Sequence, residues 1–236
     1  MVNRLDPPKS TVNEQAIESA RGMVKAAIGL MFPGGSLFGV ILDLLYRRPI
    51  EARTEKWMTS VADAIQQLQE SAAKLTPEKL SENEEFITLL HKATDVALKT
   101  HEEEKLKLLR NAIVNSATTA LELDKKALFI RLIDELSINQ ILVLNLFDDP
   151  LAWLKKHGIQ PTSYTSALPT EVIGHAFPDL YNHPDLKELI LIGLENRGLL
   201  SAMTNVHTGE ALWARHTTQI GREFLKFVEA EDLKSG

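Results

Sequence analysis

The chain has 236 residues, of which 44% are hydrophobic, 25% charged and 6% aromatic, with a formal net charge of −6. That length accommodates one large domain or two small ones, and the balance is that of a globular protein rather than a disordered one. The acidic excess argues against general affinity for nucleic acid or anionic lipid, and the lack of cysteine excludes disulfides, thiolate metal sites and cysteine nucleophiles.

Few aromatics with abundant Leu, Ala, Glu and Lys favour helices over strands. Charge is uneven: residues 1–60 hold eight Lys/Arg against six Asp/Glu, a net of +2, which leaves −8 for the remainder. The first twenty residues are polar and lack the basic-then-apolar order of a secretory signal, so a cytoplasmic setting is expected.

Residues 1–12, with Pro7-Pro8, read as a loose tail. A helix is predicted from Thr11 or Asn13 through Ala16, Ile17, Ala20, Met23 and Val24. It leads into residues 26–42, the one long uncharged run, broken at its middle by Pro33-Gly34-Gly35. A run of this length approaches the roughly 17–25 apolar residues that cross a bilayer. Pro-Gly-Gly at the bilayer centre opposes a spanning helix and instead predicts two short helices around a turn. Ser36 would cap the second, which runs through Tyr46 to Pro49. Two readings of this apolar hairpin are compatible. It is buried in a helical core, or it contacts a membrane surface or protein partner through Leu30, Met31, Phe32, Leu37, Phe38 and Ile41. Arg47 and Arg48 would then meet headgroups or acidic side chains. A segment buried at rest can be exposed by a switch.

From Ile50, Trp57, Val61, Ala64, Ile65, Leu68, Ala72 and Leu75 recur at helical spacing, and Thr76-Pro77 ends or restarts the helix. Ser81 and Glu84 form a capping-box pattern before a stripe of Phe86, Leu89, Leu90, Ala93, Val96 and Ala97. Thr100 would cap the next helix, whose buried stripe is Leu106, Leu109, Ile113, Ala117 and Leu121. Another helix near 125–136 presents Leu128, Phe129, Leu132, Ile133 and Leu136. Residues 1–136 are thus predicted to form an antiparallel helical bundle that includes the Gly/Pro-broken hairpin.

Residues 137–236 change character, with five of the ten prolines between 150 and 184. Ser137 and Gln140 make a second capping box, and His183-Pro184 precedes a helix from about 185 to 197 that ends at Gly198. Alternating residues on either side of Thr208-Gly209 predict a hairpin pairing 199–207 with 210–217. Thr217 or Thr218 starts a last helix carrying Ile220, Phe224, Leu225 and Val228. Short helices, a hairpin and a closing helix predict a winged helix-turn-helix-like domain on a mainly α chain.

Motifs for chemistry are missing. No phosphate-cradling loop, nucleophile elbow or His-Glu-x-x-His helix occurs, so no enzyme activity, catalytic residue or cofactor is predicted. His175/His183 and His207/His216 are near pairs without helical i, i+4 spacing, and no metal site is predicted from them. Glu82, Glu84 and Glu85, like Glu102, Glu103 and Glu104, sit at helix starts, where the dipole explains them without acid–base chemistry. A DNA interface would draw on Lys187 and Arg197 of the predicted recognition helix, Arg215 and His216 of the wing, and Arg222 of the last helix. Glu188 and Glu195 cancel the recognition helix's charge, which leaves a thin basic set.

The interrupted apolar segment, the amphipathic helix after Arg47-Arg48 and the Leu199-Leu200…Thr218-x-x-Gly221-Arg222-x-Phe224-Leu225 combination resemble the bacterial Abi-alpha group associated with abortive infection. So does Glu104-Lys-Leu-x-x-Leu-Arg-Asn-Ala-Ile-x-Asn115. The resemblance implies a bacterial cytosolic protein in phage defence or stress response, peripheral to the inner membrane where the hairpin meets lipid, and transfers no catalytic residue. The expectation is a non-enzymatic protein that engages a membrane or partner. The alternative is a transcriptional regulator reading DNA through residues 186–222.

Overall fold

The computed structural model describes residues 52–71, 77–163, 166–202 and 207–229. Residues 26–48, with the predicted hairpin and its candidates Leu30, Met31, Phe32, Leu37, Phe38, Ile41, Arg47 and Arg48, lie outside them. The described chain is mainly helical.

Its first half comprises α1 (Ala52–Ser71), α2 (Pro77–Glu82), α3 (Glu84–Ala97), α4 (Glu103–Thr118) and α5 (Leu123–Glu135). Helical spacing of apolar residues drives their packing, and the predicted α3 stripe is buried throughout. Trp57, Val61, Ala64 and Ile65 of α1, Leu109 and Ile113 of α4, and Phe129, Leu132 and Ile133 of α5 complete this part of the core. Trp57 also donates its indole N–H to Thr94 Oγ1 at 3.1 Å, so a buried polar pair stays satisfied between α1 and α3.

Capping differs from the expected pattern at two helices. Asn83, not Ser81, caps α3, its side chain accepting from the Phe86 N–H at 3.0 Å. The two residues offer the same chemistry two positions apart, and α2 carries Ser81 inside its last turn. Thr100 serves the entry to α4 one step early, with its hydroxyl accepting from the Glu102 N–H at 3.2 Å.

The second half contains α6 (Ile138–Leu146), α7 (Pro150–Lys156), β1 (Ser166–Ala167), α8 (Pro169–Ala176), a 3-10 turn (Pro178–Leu180), α9 (Pro184–Asn196), β2 (His207–Thr208), α10 (Gly209–Leu212) and α11 (Gln219–Val228). The Ser137–Gln140 box forms as predicted, with both reciprocal bonds present. Gly198, at φ 67°, closes α9 in the left-handed conformation that favours glycine. Thr218 caps α11 through the Gly221 N–H at 3.1 Å.

The predicted hairpin is not the one formed. His207–Thr208 pairs antiparallel with Ser166–Ala167, which precede α8, while residues 209–212 coil into α10 and deliver Leu212 to the core. Among the described residues, the two segments of the expected pair are joined by an antiparallel bridge at their far ends, between Leu200 and Thr217.

The core continues from the first half into the second. Phe129 of α5 packs against Phe224 and Phe227 of α11 at ring-centroid distances of 5.7 and 5.4 Å. Lys125 and Glu223 pair at 2.8 Å beside them. The last helix therefore closes over α4 and α5, and α9 packs on α6 and α8.

Candidate functional site: the outer face of α9

The α9 sequence, Pro-Asp-Leu-Lys-Glu-Leu-Ile-Leu-Ile-Gly-Leu-Glu-Asn, is apolar around most of its circumference. Ile190, Leu191 and Leu194 are buried against α6 and α8, which is the side an amphipathic helix uses. The opposite side is apolar as well. Leu186 and Leu189 lie one turn apart and are 42% and 63% exposed, with half-buried Ile192 three residues on. Tyr181, 67% exposed, stands just before the helix. Three of the six large exposed apolar side chains among the described residues thus fall within residues 181–189. The helix thus has two apolar sides, one packed in the core and one exposed.

Acidic groups edge this surface: Asp179, Asp185 and Glu188 are all exposed. The one lysine of α9 turns inward. Lys187 is 8% exposed, its Nζ donates to the Tyr181 carbonyl at 3.2 Å, and it lies 5.7 Å from the Tyr181 ring centroid, close to Gly174. Its charge fixes the turn before α9 and is withheld from the surface.

Each of the remaining nucleic-acid candidates has a partner within the chain. Arg197 donates to the Gly193 carbonyl at 3.1 Å and approaches Glu135 at 3.6 Å. Arg215 donates to the Asp148 carbonyl at 2.7 Å and lies 3.4 Å from that residue's carboxylate. Arg222 donates to the Thr217 carbonyl at 2.7 Å. His216 is buried, packed edge-on against Phe147, and its Nε2 meets the Ala211 carbonyl at 2.9 Å. Burial holds its imidazole below the usual histidine range, partly opposed by the bond to Ala211.

His207 and His216 do come together, with centroids 5.3 Å apart. Two imidazoles fall short of a zinc site, and no third His, Asp or Glu joins a cluster among the described residues. His175 and His183 separate: His175 meets the Gln160 carbonyl at 2.7 Å, while His183 begins α9 without a side-chain cap. Glu103 lies below its usual pKa because Lys56 donates to it at 2.6 Å, an ion pair between helix ends. Glu102, Glu104, Glu84 and Glu85 stand at or beside helix starts as well.

Leu186, Leu189 and Ile192 stand at three-residue steps in the sequence, a second apolar stripe interleaved with the charges of the predicted recognition helix. The signal that finds it is an apolar residue at nearly every helical angle. No described helix is long and apolar enough to cross a membrane. Compared with protein-family models, curated proteins and solved structures, the chain matches none.

Proposed function

We propose that this chain is a non-enzymatic bacterial interaction protein whose α9 outer face holds an apolar protein segment carrying basic residues. The observation that carries the reading is the exposure of Leu186 and Leu189 on a helix whose other side is already core. Fully burying one leucine is worth about 1.5–3 kcal/mol, so two leucines and Tyr181 supply a useful contact. Asp179, Asp185 and Glu188 select for cations and repel phosphates, which favours a protein segment over nucleic acid or anionic lipid at this face.

The apolar run 26–42 is the second contact element, directed to a membrane surface or a partner through the residues named above and Arg47-Arg48. We read the second half as a winged-helix variant. The order β1, α8, α9, β2 and the Leu200–Thr217 bridge support this reading. Its recognition-helix position then serves protein contact, because Lys187 and His216 are buried and three arginines are engaged with carbonyls. The resemblance to Abi-alpha proteins supports phage defence as the setting and the cytoplasm, or the periphery of the inner membrane, as the place.

Phage challenge of bacteria producing the chain tests the proposal. Wild type should reduce plaque formation, Leu189→Glu should lose that protection, and Leu151→Glu, at an exposed position of α7, should keep it. Protection that survives Leu189→Glu sinks the contact surface, and no protection by wild type sinks the defence setting. Flotation of wild type, Leu30→Asp and Phe38→Asp with anionic vesicles then decides whether the run meets lipid.

A further inference from the structure

We infer that the cavity beside Trp213 is a binding site for a small organic ammonium ion. The inference goes beyond the α9 face and rests on other residues.

The cavity follows from the strand pairing. Ser166 faces Thr208 in the antiparallel ladder, so the chain just before β1 and the turn of α10 just after β2 come to enclose a common space. Its volume is about 560 Å³, and it opens to solvent. Small-molecule sites span roughly 300–1,000 Å³. Pro161 and the half-buried indole of Trp213 give it apolar walls, and Thr162, Thr208 and Glu210 supply its polar groups.

Those polar groups are open to a ligand. The Glu210 carboxylate is exposed and pairs with no cation among the described residues. Thr208 stands at the start of α10, yet its hydroxyl makes no capping bond. Thr162 is available for a different reason. His175 Nε2 lies 2.7 Å from the Gln160 carbonyl, which only accepts, so that nitrogen carries the proton. Thr162 Oγ1, 3.4 Å from the same nitrogen, then accepts from it and keeps its own hydrogen to donate.

The combination selects a charge type. An indole attracts a cation through its ring, and a carboxylate beside it adds a charge-assisted bond. No Lys or Arg lines the cavity among the described residues, and Glu210 repels anions, so phosphates and carboxylates are disfavoured. A single carboxylate is also too few ligands for a hard metal cation. An ammonium ion on a short carbon body fits what remains, with the two threonine hydroxyls placed to hold a ligand oxygen.

The chain's three tryptophans make the test direct. Trp57 and Trp153 are buried in the core, so a ligand entering the cavity changes chiefly the fluorescence of Trp213. Titration of the full-length chain with choline should give a saturable change. The neutral analogue with carbon in place of the ammonium nitrogen should bind at least about tenfold more weakly. Glu210→Gln should weaken choline binding by about fivefold or more at an unchanged urea midpoint, since the side chain is exposed. Trp213→Phe should remove the fluorescence change and weaken binding measured by calorimetry. An acetylated and amidated trimethyllysine identifies the source of the ammonium group. Tighter binding than choline assigns it to a modified protein side chain, and weaker binding to a free small molecule; either supports the ammonium site. No saturable response to either ammonium probe overturns the inference. So do equal affinities for the charged and neutral probes, or choline binding that Glu210→Gln leaves unchanged. None of these outcomes depends on phage protection, so the reading of α9 stands or falls separately.

Discussion

Asn115 and Phe227 are joined across most of the described chain: the Asn115 amide donates to the Phe227 carbonyl at 2.8 Å and to the Glu229 carbonyl at 2.9 Å. Asn111, one turn earlier, donates to the Val228 carbonyl at 3.0 Å. These carbonyls belong to the end of α11, where no further turn remains to satisfy them. Two asparagines of α4 thus cap the helix that closes the fold.

Asn115→Ala should lower stability by about 2 kcal/mol, since it leaves buried carbonyls unpaired. Asn115→Asp should cost more, because a carboxylate only accepts and adds negative charge at the negative end of the α11 dipole. Urea unfolding curves measure both, and an unchanged midpoint for Asn115→Ala would show that the capping contributes nothing.

Gly221→Ala should also destabilise, against helix propensity. Alanine is the better helix former by about 1 kcal/mol, yet a Cβ at 221 would overlap the Leu199 carbonyl oxygen. That carbonyl already accepts the Thr218 N–H at 3.0 Å and cannot easily withdraw. The expected cost is about 1–3 kcal/mol by thermal melting, and any stabilisation would refute the close approach.

Stability should depend on pH through His216. Its folded pKa lies below the ordinary value because burial disfavours the imidazolium. As pH falls through about 6.5 the unfolded chain takes up a proton that the folded chain refuses, so stability falls until the folded pKa is reached. A single group sets a slope of no more than about 1.4 kcal/mol per pH unit. Unfolding free energies from pH 7.5 to 5 should show this decline, and His216→Phe should flatten it. An equal slope in both proteins would assign the effect elsewhere.

Duplex DNA should not bind with the salt dependence of a basic reader. Each phosphate contact contributes a slope of about −0.9 to the log–log salt plot, and the five candidates offer two buried groups and three arginines engaged with carbonyls. Fluorescence anisotropy at low salt should detect no binding to mixed-sequence duplex. A steep salt slope that Arg215→Ala and Arg222→Ala relieve would restore the regulator reading.

What could be read from the sequence was local. The three- and four-residue spacing of Phe86, Leu89, Leu90 and Ala93 determines a helix face without reference to the rest of the chain, and that face is buried. The Ser137–Gln140 box and the Thr218 cap need only their own turns. The strand pairing was hidden because it is not local: Thr208 takes Ser166 as its partner, with α8 and α9 between them. Thr208-Gly209 resembles a hairpin turn only while that competitor is unseen. The basic residues mislead for a related reason. Lys187 and Arg197 look alike on paper, but packing of α9 on α6 and α8 buries Lys187 beside the Tyr181 carbonyl and Gly174, whereas Arg197 stays exposed and bonds the Gly193 carbonyl one turn back on its own helix.

The most direct measurement is the plaque count of bacteria producing wild type, Leu186→Glu or Leu189→Glu, with urea unfolding of the three purified chains alongside. If the outer face of α9 is the contact surface, both substitutions should abolish protection and leave the unfolding midpoint unchanged, because both side chains are exposed in the folded chain. Full protection by both variants, at an unchanged midpoint, would contradict the account.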